Sequence, residues 1–176
     1  MSRSSKNIFY ALAVILLTAL DQFTKILAVE HLQDGGSVTV IPHILSLYYL
    51  ENKGAAFGIF QNGTVFFAAM TVLLLIFLLV CFARIPEKAR YIPMRVIAIA
   101  IAAGAIGNLI DRIVQGYVVD FFQFTFIQFP IFNVADIYVT VSAIILFILV
   151  MFYYTDEDFQ FLSQKSHKPE KKQEEE

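Results

Sequence analysis

Four stretches of this chain are apolar almost without interruption: Ile8 to Ala28, Thr64 to Ala83, Pro93 to Ile113 and Val134 to Tyr154. Each runs to about twenty residues, and at a rise of about 1.5 Å per residue that is enough to cross about 30 Å of hydrocarbon as a helix. The pattern therefore predicts four transmembrane helices. The connections between them differ in character. Val38 to Leu50 mixes Val, Ile, Leu and Tyr around Pro42, which reads as short strands of a small sheet. Val118 to Phe132 holds six phenylalanines, one acid (Asp120) and no lysine or arginine, so it is expected to lie against the lipid interface rather than stand in water. From Ser163 onward the chain is charged and free of apolar side chains. One four-span domain over 1–162 is thus expected, followed by a disordered tail over 163–176.

Composition sharpens this picture. With 58% hydrophobic residues, 16% charged residues and a mean hydropathy of +0.67, 176 residues are too apolar for a soluble fold. Arg3 and Lys6 before the first span imitate a secretory signal, but no small-x-small cleavage site closes that span and three more follow, so it reads as a permanent helix. Ten of the 13 Lys and Arg residues flank the start, the connection between spans two and three, and the tail; only Lys25, Lys53 and Arg112 fall on the other side. The bias of cations toward the cytoplasm then places both termini inside and the two longer connections outside.

A net charge of -2 offers no basic surface for nucleic acid. The single cysteine, Cys81, builds neither a disulfide nor a thiolate cluster and reads as a small packing residue. His31, His43 and His167 have no partner at ligand spacing, and the chain lacks a glycine-rich phosphate loop, an HExxH pair and a GxSxG elbow. No metal or organic cofactor is expected.

The chemistry must come from polar groups placed where lipid should be. Such groups cost several kcal/mol unless they are paired or face a cavity. Asp21 and Lys25 stand four apart on one helical face, either as a self-satisfying ion pair or as contacts to a substrate or lipid headgroup. Gly104, Asn108 and Arg112 repeat every four residues along one stripe of the third span, among small residues that let a neighbouring helix approach. Asn108 is either interhelical glue or part of a site, and Asp111 is the expected charge partner of Arg112. Asn133 and Asp136, three apart at the start of the fourth span, are either a helix cap or functional groups.

Asp120, framed by Val118, Val119 and Phe121, falls at a depth similar to that of Asp136. Two carboxylates meeting in an apolar site cannot both ionise cheaply, so the pair holds one proton. Such a pair offers one base to activate water and one acid to polarise a carbonyl, the equipment for amide hydrolysis without a nucleophilic serine, cysteine or metal. A small proton-coupled transporter is the rival reading, with the intramembrane acids and Lys25 relaying protons. A non-catalytic lipid-binding or assembly factor is a third.

Five patches resemble one family: Asp21-Gln22 with Lys25; Asn52 to Phe57; Gly104 to Arg112; Val119-Asp120-Phe121; and Phe132 to Asp136. Together they are similar to the bacterial lipoprotein signal peptidases, signal peptidase II. The resemblance implies that Asp120 and Asp136 are the catalytic aspartates and that Asp21, Lys25, Asn52, Gly54, Gly104, Asn108, Arg112, Asn133 and Ala135 line or support the site. It implies a membrane all-α fold of four helices with a small β-sheet and a short mobile helix on the outer face. The implied substrate is a prolipoprotein whose cysteine already carries diacylglycerol, cut on the amino side of that cysteine. Membrane lipids and cyclic-peptide inhibitors are the other implied partners, and a monomer is expected.

Overall fold

The computed structural model describes residues 2–54 and 63–163. Four helices are long and apolar enough to cross a membrane: α1 (Arg3–Leu32), α2 (Thr64–Arg84), α3 (Ile92–Val114) and α4 (Val134–Phe152). A fifth, α5 (Gln160–Ser163), is a single turn that takes in Ser163, which the sequence had assigned to the tail. The rest of that tail, 164–176, lies outside the described residues.

The third helix organises the bundle, packing against α1, α2 and α4. Its small residues are the reason. A Cβ on Gly104 would stand 2.5 Å from the carbonyl oxygen of Ala135, so only glycine lets α3 and α4 approach this closely there. By contrast α2 buries none of its residues, as expected of a uniformly apolar helix whose surroundings are lipid. α1 runs 30 residues, four beyond the predicted end at Ala28. That extra turn matters because Ala28 and Leu32 form a buried cluster with Val119 and Phe121, which seats the sheet on the helix end.

Three antiparallel strands, β1 (Ser37–Ile41), β2 (Leu45–Asn52) and β3 (Val118–Phe124), lie in the order β1-β2-β3. The first two come from the predicted connection. The third comes from the connection Val118 to Phe132, whose first half is a strand rather than a loop, paired with Asn52 at Val118 and with Leu50 at Asp120. Val118 to Phe121, Asp120 included, are all buried, so this segment lacks the apolar-polar alternation that marks a half-exposed strand. Its return is pinned by Phe121 and Phe122 amides donating to the Phe132 carbonyl at 3.0 and 2.8 Å. The sheet thus sits where α1 and α3 end and α2 and α4 begin. The short outer helix implied by the resemblance is not among the described elements, and 55–62, between Gly54 and α2, lie outside the described residues.

At the opposite end Ile85, Tyr91, Met94 and Tyr154 form a second buried cluster. Arg90 grips Asp158 there through two 2.7 Å hydrogen bonds, tying the segment after α4 back to the start of α3.

Candidate active site

The site grows from the first turn of α4. Asn133 is its N-cap: its Oδ1 accepts from the Asp136 amide at 3.0 Å, while Asp136 Oδ2 accepts from the Asn133 amide at 3.2 Å. This reciprocal cap satisfies two helix-end donors at once. It also decides which way the Asn133 amide faces. With Oδ1 committed to the helix, Nδ2 points out and donates to Asp120 Oδ1 at 2.7 Å. The cap and the functional reading of these residues are therefore one arrangement, in which a single asparagine touches both aspartates.

Two more asparagines are oriented in the same manner. Asn52, the last residue of β2, accepts from the Gly54 amide at 3.1 Å, which turns its Nδ2 toward Asp120 Oδ2 at 2.8 Å. Asn108, on α3, accepts from the Lys25 ammonium at 2.9 Å, which turns its Nδ2 toward Asp136 Oδ1 at 2.8 Å. In each case an outside donor holds the amide oxygen, so the nitrogen must donate to a carboxylate. Asp120 and Asn133 are 1% and 0% exposed.

Beneath this layer lies a charged one. Lys25, 3% exposed, gives its ammonium to Asp21 and Asp111, each at 2.9 Å, as well as to Asn108. Its three protons are accounted for, so Lys25 has none to offer a substrate or headgroup. Asp21 Oδ1 accepts from the Ala135 amide at 2.8 Å, holding the start of α4. Gly107 makes room for it, since a Cβ there would collide with the Asp21 carboxylate. Asp111 corrects a sequence expectation: it does not pair with Arg112 but accepts from Lys25, from Gln22 at 2.9 Å and from the Val119 amide at 3.1 Å. Residues four apart along α3 share a face, whereas Asp111 and Arg112 are successive and diverge by about 100°. Arg112 instead donates to the Asn108 carbonyl at 3.2 Å and lies over the Phe67 ring at 5.8 Å. Among the described residues it makes no ion pair.

Of the residues singled out in the sequence, Asn52, Asn108 and Asn133 touch the aspartates. Gly54, Ala135, Asp21 and Lys25 hold those contacts in place, and Gly104 sets the α3 to α4 spacing. Gln22 was missed, though it bridges Asp21, Asp111 and the Gly107 carbonyl. A glutamine inside an apolar span was signal enough to include it.

Four carboxylates thus surround one buried ammonium. Asp21 and Asp111 bond it directly; Asp120 and Asp136 do not. Burial, and next the charge of Asp136, push the Asp120 carboxyl up to about 7, against the pull of its two asparagine donors and of Lys25. Near neutral pH the site can therefore keep a proton on the pair while leaving an ionised oxygen beside it, which suits water activation and carbonyl polarisation together.

The model of the family described as signal peptidase (SPase) II matches residues 13–152. A lipoprotein signal peptidase of Caldanaerobacter subterraneus subsp. tengcongensis is 49% identical over 140 residues, covering 79% of this chain and 93% of the relative. One of Brevibacillus brevis is 42% identical over 139 residues, covering 78% and 91%. Two solved structures, both described as bacterial membrane enzymes, superpose with TM-scores of 0.73 and 0.72 at 33% and 35% identity, covering 91% and 84% of this chain and 93% and 94% of theirs. The match spans all four membrane helices and every polar group of the site just described, and on that evidence this chain belongs to the signal peptidase II family.

Proposed function

We propose that this protein is an intramembrane aspartyl endopeptidase that removes the signal peptide from diacylglyceryl-modified prolipoproteins, cutting on the amino side of the lipidated cysteine. The observation that carries the proposal is the buried pair Asp120 and Asp136, joined through Asn133 and each given a further asparagine donor. The distribution of Lys and Arg supports a cytoplasmic-membrane protein with both termini inside and the sheet end facing out. A substrate anchored by its acyl chains and signal helix then meets the pair from within the bilayer.

In the reaction the ionised aspartate takes a proton from water as the water oxygen attacks the scissile carbonyl. The protonated partner gives its proton to the carbonyl oxygen. The gem-diol intermediate collapses when the proton taken from water passes to the leaving nitrogen while one diol hydroxyl returns its proton to the partner aspartate, which releases the amine, leaves a carboxylic acid and restores the pair to one shared proton. Asn52, Asn108 and Asn133 keep both carboxylates from rotating away, and Arg112, with donors left over, is placed to hold a substrate carbonyl or ester oxygen.

Family membership gives the transporter reading no support. The test is a gel-shift assay with a diacylglyceryl prolipoprotein in detergent micelles. Wild type should convert it, and Asp120→Asn and Asp136→Asn, each confirmed as folded by its melting transition, should fall at least about 1000-fold. Normal processing by either variant would sink the assignment.

A further inference from the structure

Far from the aspartates, at the end opposite the sheet, α1 and α2 diverge over the face of α3 and leave a cavity of about 690 Å³. Its walls are apolar: Val14 from α1, Leu78 and Phe82 from α2, and Ala102 and Ile106 from α3. Polar groups gather at one end, Asn7, Glu87 and Arg95, and the Glu87 carboxylate there is held by Lys6 at 2.8 Å. Arg95 is only 8% exposed, yet among the described residues its guanidinium makes one hydrogen bond, from Nη2 to the Ile85 carbonyl, and no ion pair. Its remaining contacts are the faces of Tyr10 at 5.5 Å and Phe82 at 5.1 Å. Nε and Nη1 have no acceptor among the described residues and stay accessible rather than sealed, so an anion in the cavity can take their hydrogen bonds.

The dimensions indicate what arrives. Arg95 lies six residues into the span that begins at Ala89, about 9 Å along the axis, the level at which basic side chains meet headgroups. From Arg95 to Ile106 the cavity follows α3 for eleven residues, about 16 Å, close to the hydrocarbon depth of one leaflet. It is therefore an apolar slot one leaflet deep with a cation at its headgroup end. The amino-terminal region of a signal peptide is itself positively charged, so Arg95, with Lys6 on the Glu87 carboxylate at the same rim, repels it.

We propose that this cavity binds an anionic glycerophospholipid of the leaflet at that end, one acyl chain lying between α1 and α2 and the phosphate accepting from the free Arg95 donors. The bound chain fills the gap that α1 and α2 leave over α3, the helix that carries Asn108 and Arg112. The lipid is a resident of the fold, separate from the substrate lipid, and the proposal does not depend on the peptidase assignment.

Native mass spectrometry of the full-length protein, released from detergent micelles titrated with dioleoyl phosphatidylglycerol or dioleoyl phosphatidylcholine, tests this. Wild type should retain one phosphatidylglycerol with about tenfold preference over phosphatidylcholine. Arg95→Gln should lose the preference and Arg95→Lys should keep most of it. Ala102→Phe, which leaves Arg95 in place and plugs the slot, should lose bound lipid of both kinds, and this variant decides the matter if Arg95→Gln does not fold. Equal retention of the two lipids by wild type, an unchanged preference in Arg95→Gln, undiminished lipid on Ala102→Phe, or a lipid-free dimer as the dominant species would each overturn the proposal.

Discussion

Replacing Asp120 by Asn should stabilise the protein at alkaline pH while abolishing the proposed chemistry, and the size of the effect follows from the site. Folding moves the Asp120 carboxyl from 3.8 to about 7. Below the unfolded value both states hold the proton and nothing is lost. As pH rises the unfolded chain gives up its proton first, so stability falls, and it has fallen fully once pH passes the folded value. The total is about 4 kcal/mol at about 1.4 kcal/mol per pH unit, of which about 2 to 3 lies between pH 5 and 8. An asparagine side chain in the same place has no charge to desolvate and so lacks this slope. It keeps an acceptor for Asn133 but faces the Asn52 amide with a second donor, a pH-independent cost of about 1 to 3 kcal/mol. Melting should be followed by intrinsic tyrosine fluorescence, which the 8 tyrosines and the absence of tryptophan make clean. At about 2 to 4 °C per kcal/mol, the difference between variant and wild type should shift in favour of the variant by about 5 to 10 °C from pH 5 to pH 8. Parallel curves across that window would refute the claim that burial and Asp136 hold the Asp120 proton.

Three further outcomes follow from the same geometry. Asn133→Ala removes the cap of α4 and the donor to Asp120, and should cost about 1 to 2 kcal/mol of stability and at least about 100-fold in kcat; an undiminished cleavage rate would mean the asparagine only caps. Lys25→Met leaves Asp21 and Asp111 buried without their shared cation, and should cost about 3 to 5 kcal/mol, read as a lower melting temperature, with Lys25→Met/Asp111→Asn recovering part of it. At the other end, hydrogen bonds from Arg90 hold the Asp158 carboxyl well below the usual carboxylate range. Its contribution is present above the unfolded pKa and fades as pH falls below about 4, so Asp158→Asn should melt earlier than wild type at pH 7, converge with it in acid and leave cleavage unaffected.

The four spans were legible because hydrophobic length is a property of consecutive residues and the bilayer sets the required number. The aspartate pair was legible for a related reason: acids stand out in an apolar chain, and desolvation alone implies that two of them share a proton. What the sequence left open were partnerships across helices. Asp111 pairs with Lys25, 86 positions away, rather than with its neighbour Arg112, because helical geometry separates successive side chains and α1 supplies the nearer cation. Val118 to Phe124 forms a strand because β2 offers an edge and α1 packs against Val119 and Phe121, and neither partner is visible in the segment's own residues. The three asparagines were visible as polar residues, but the direction of each amide, toward an aspartate, depended on Gly54, Lys25 and the first turn of α4 arriving on the opposite side. Sequence determined which groups were too costly to bury alone, and only the packed structure determined which ones meet, because meeting depends on helix faces and strand edges brought together from distant parts of the chain.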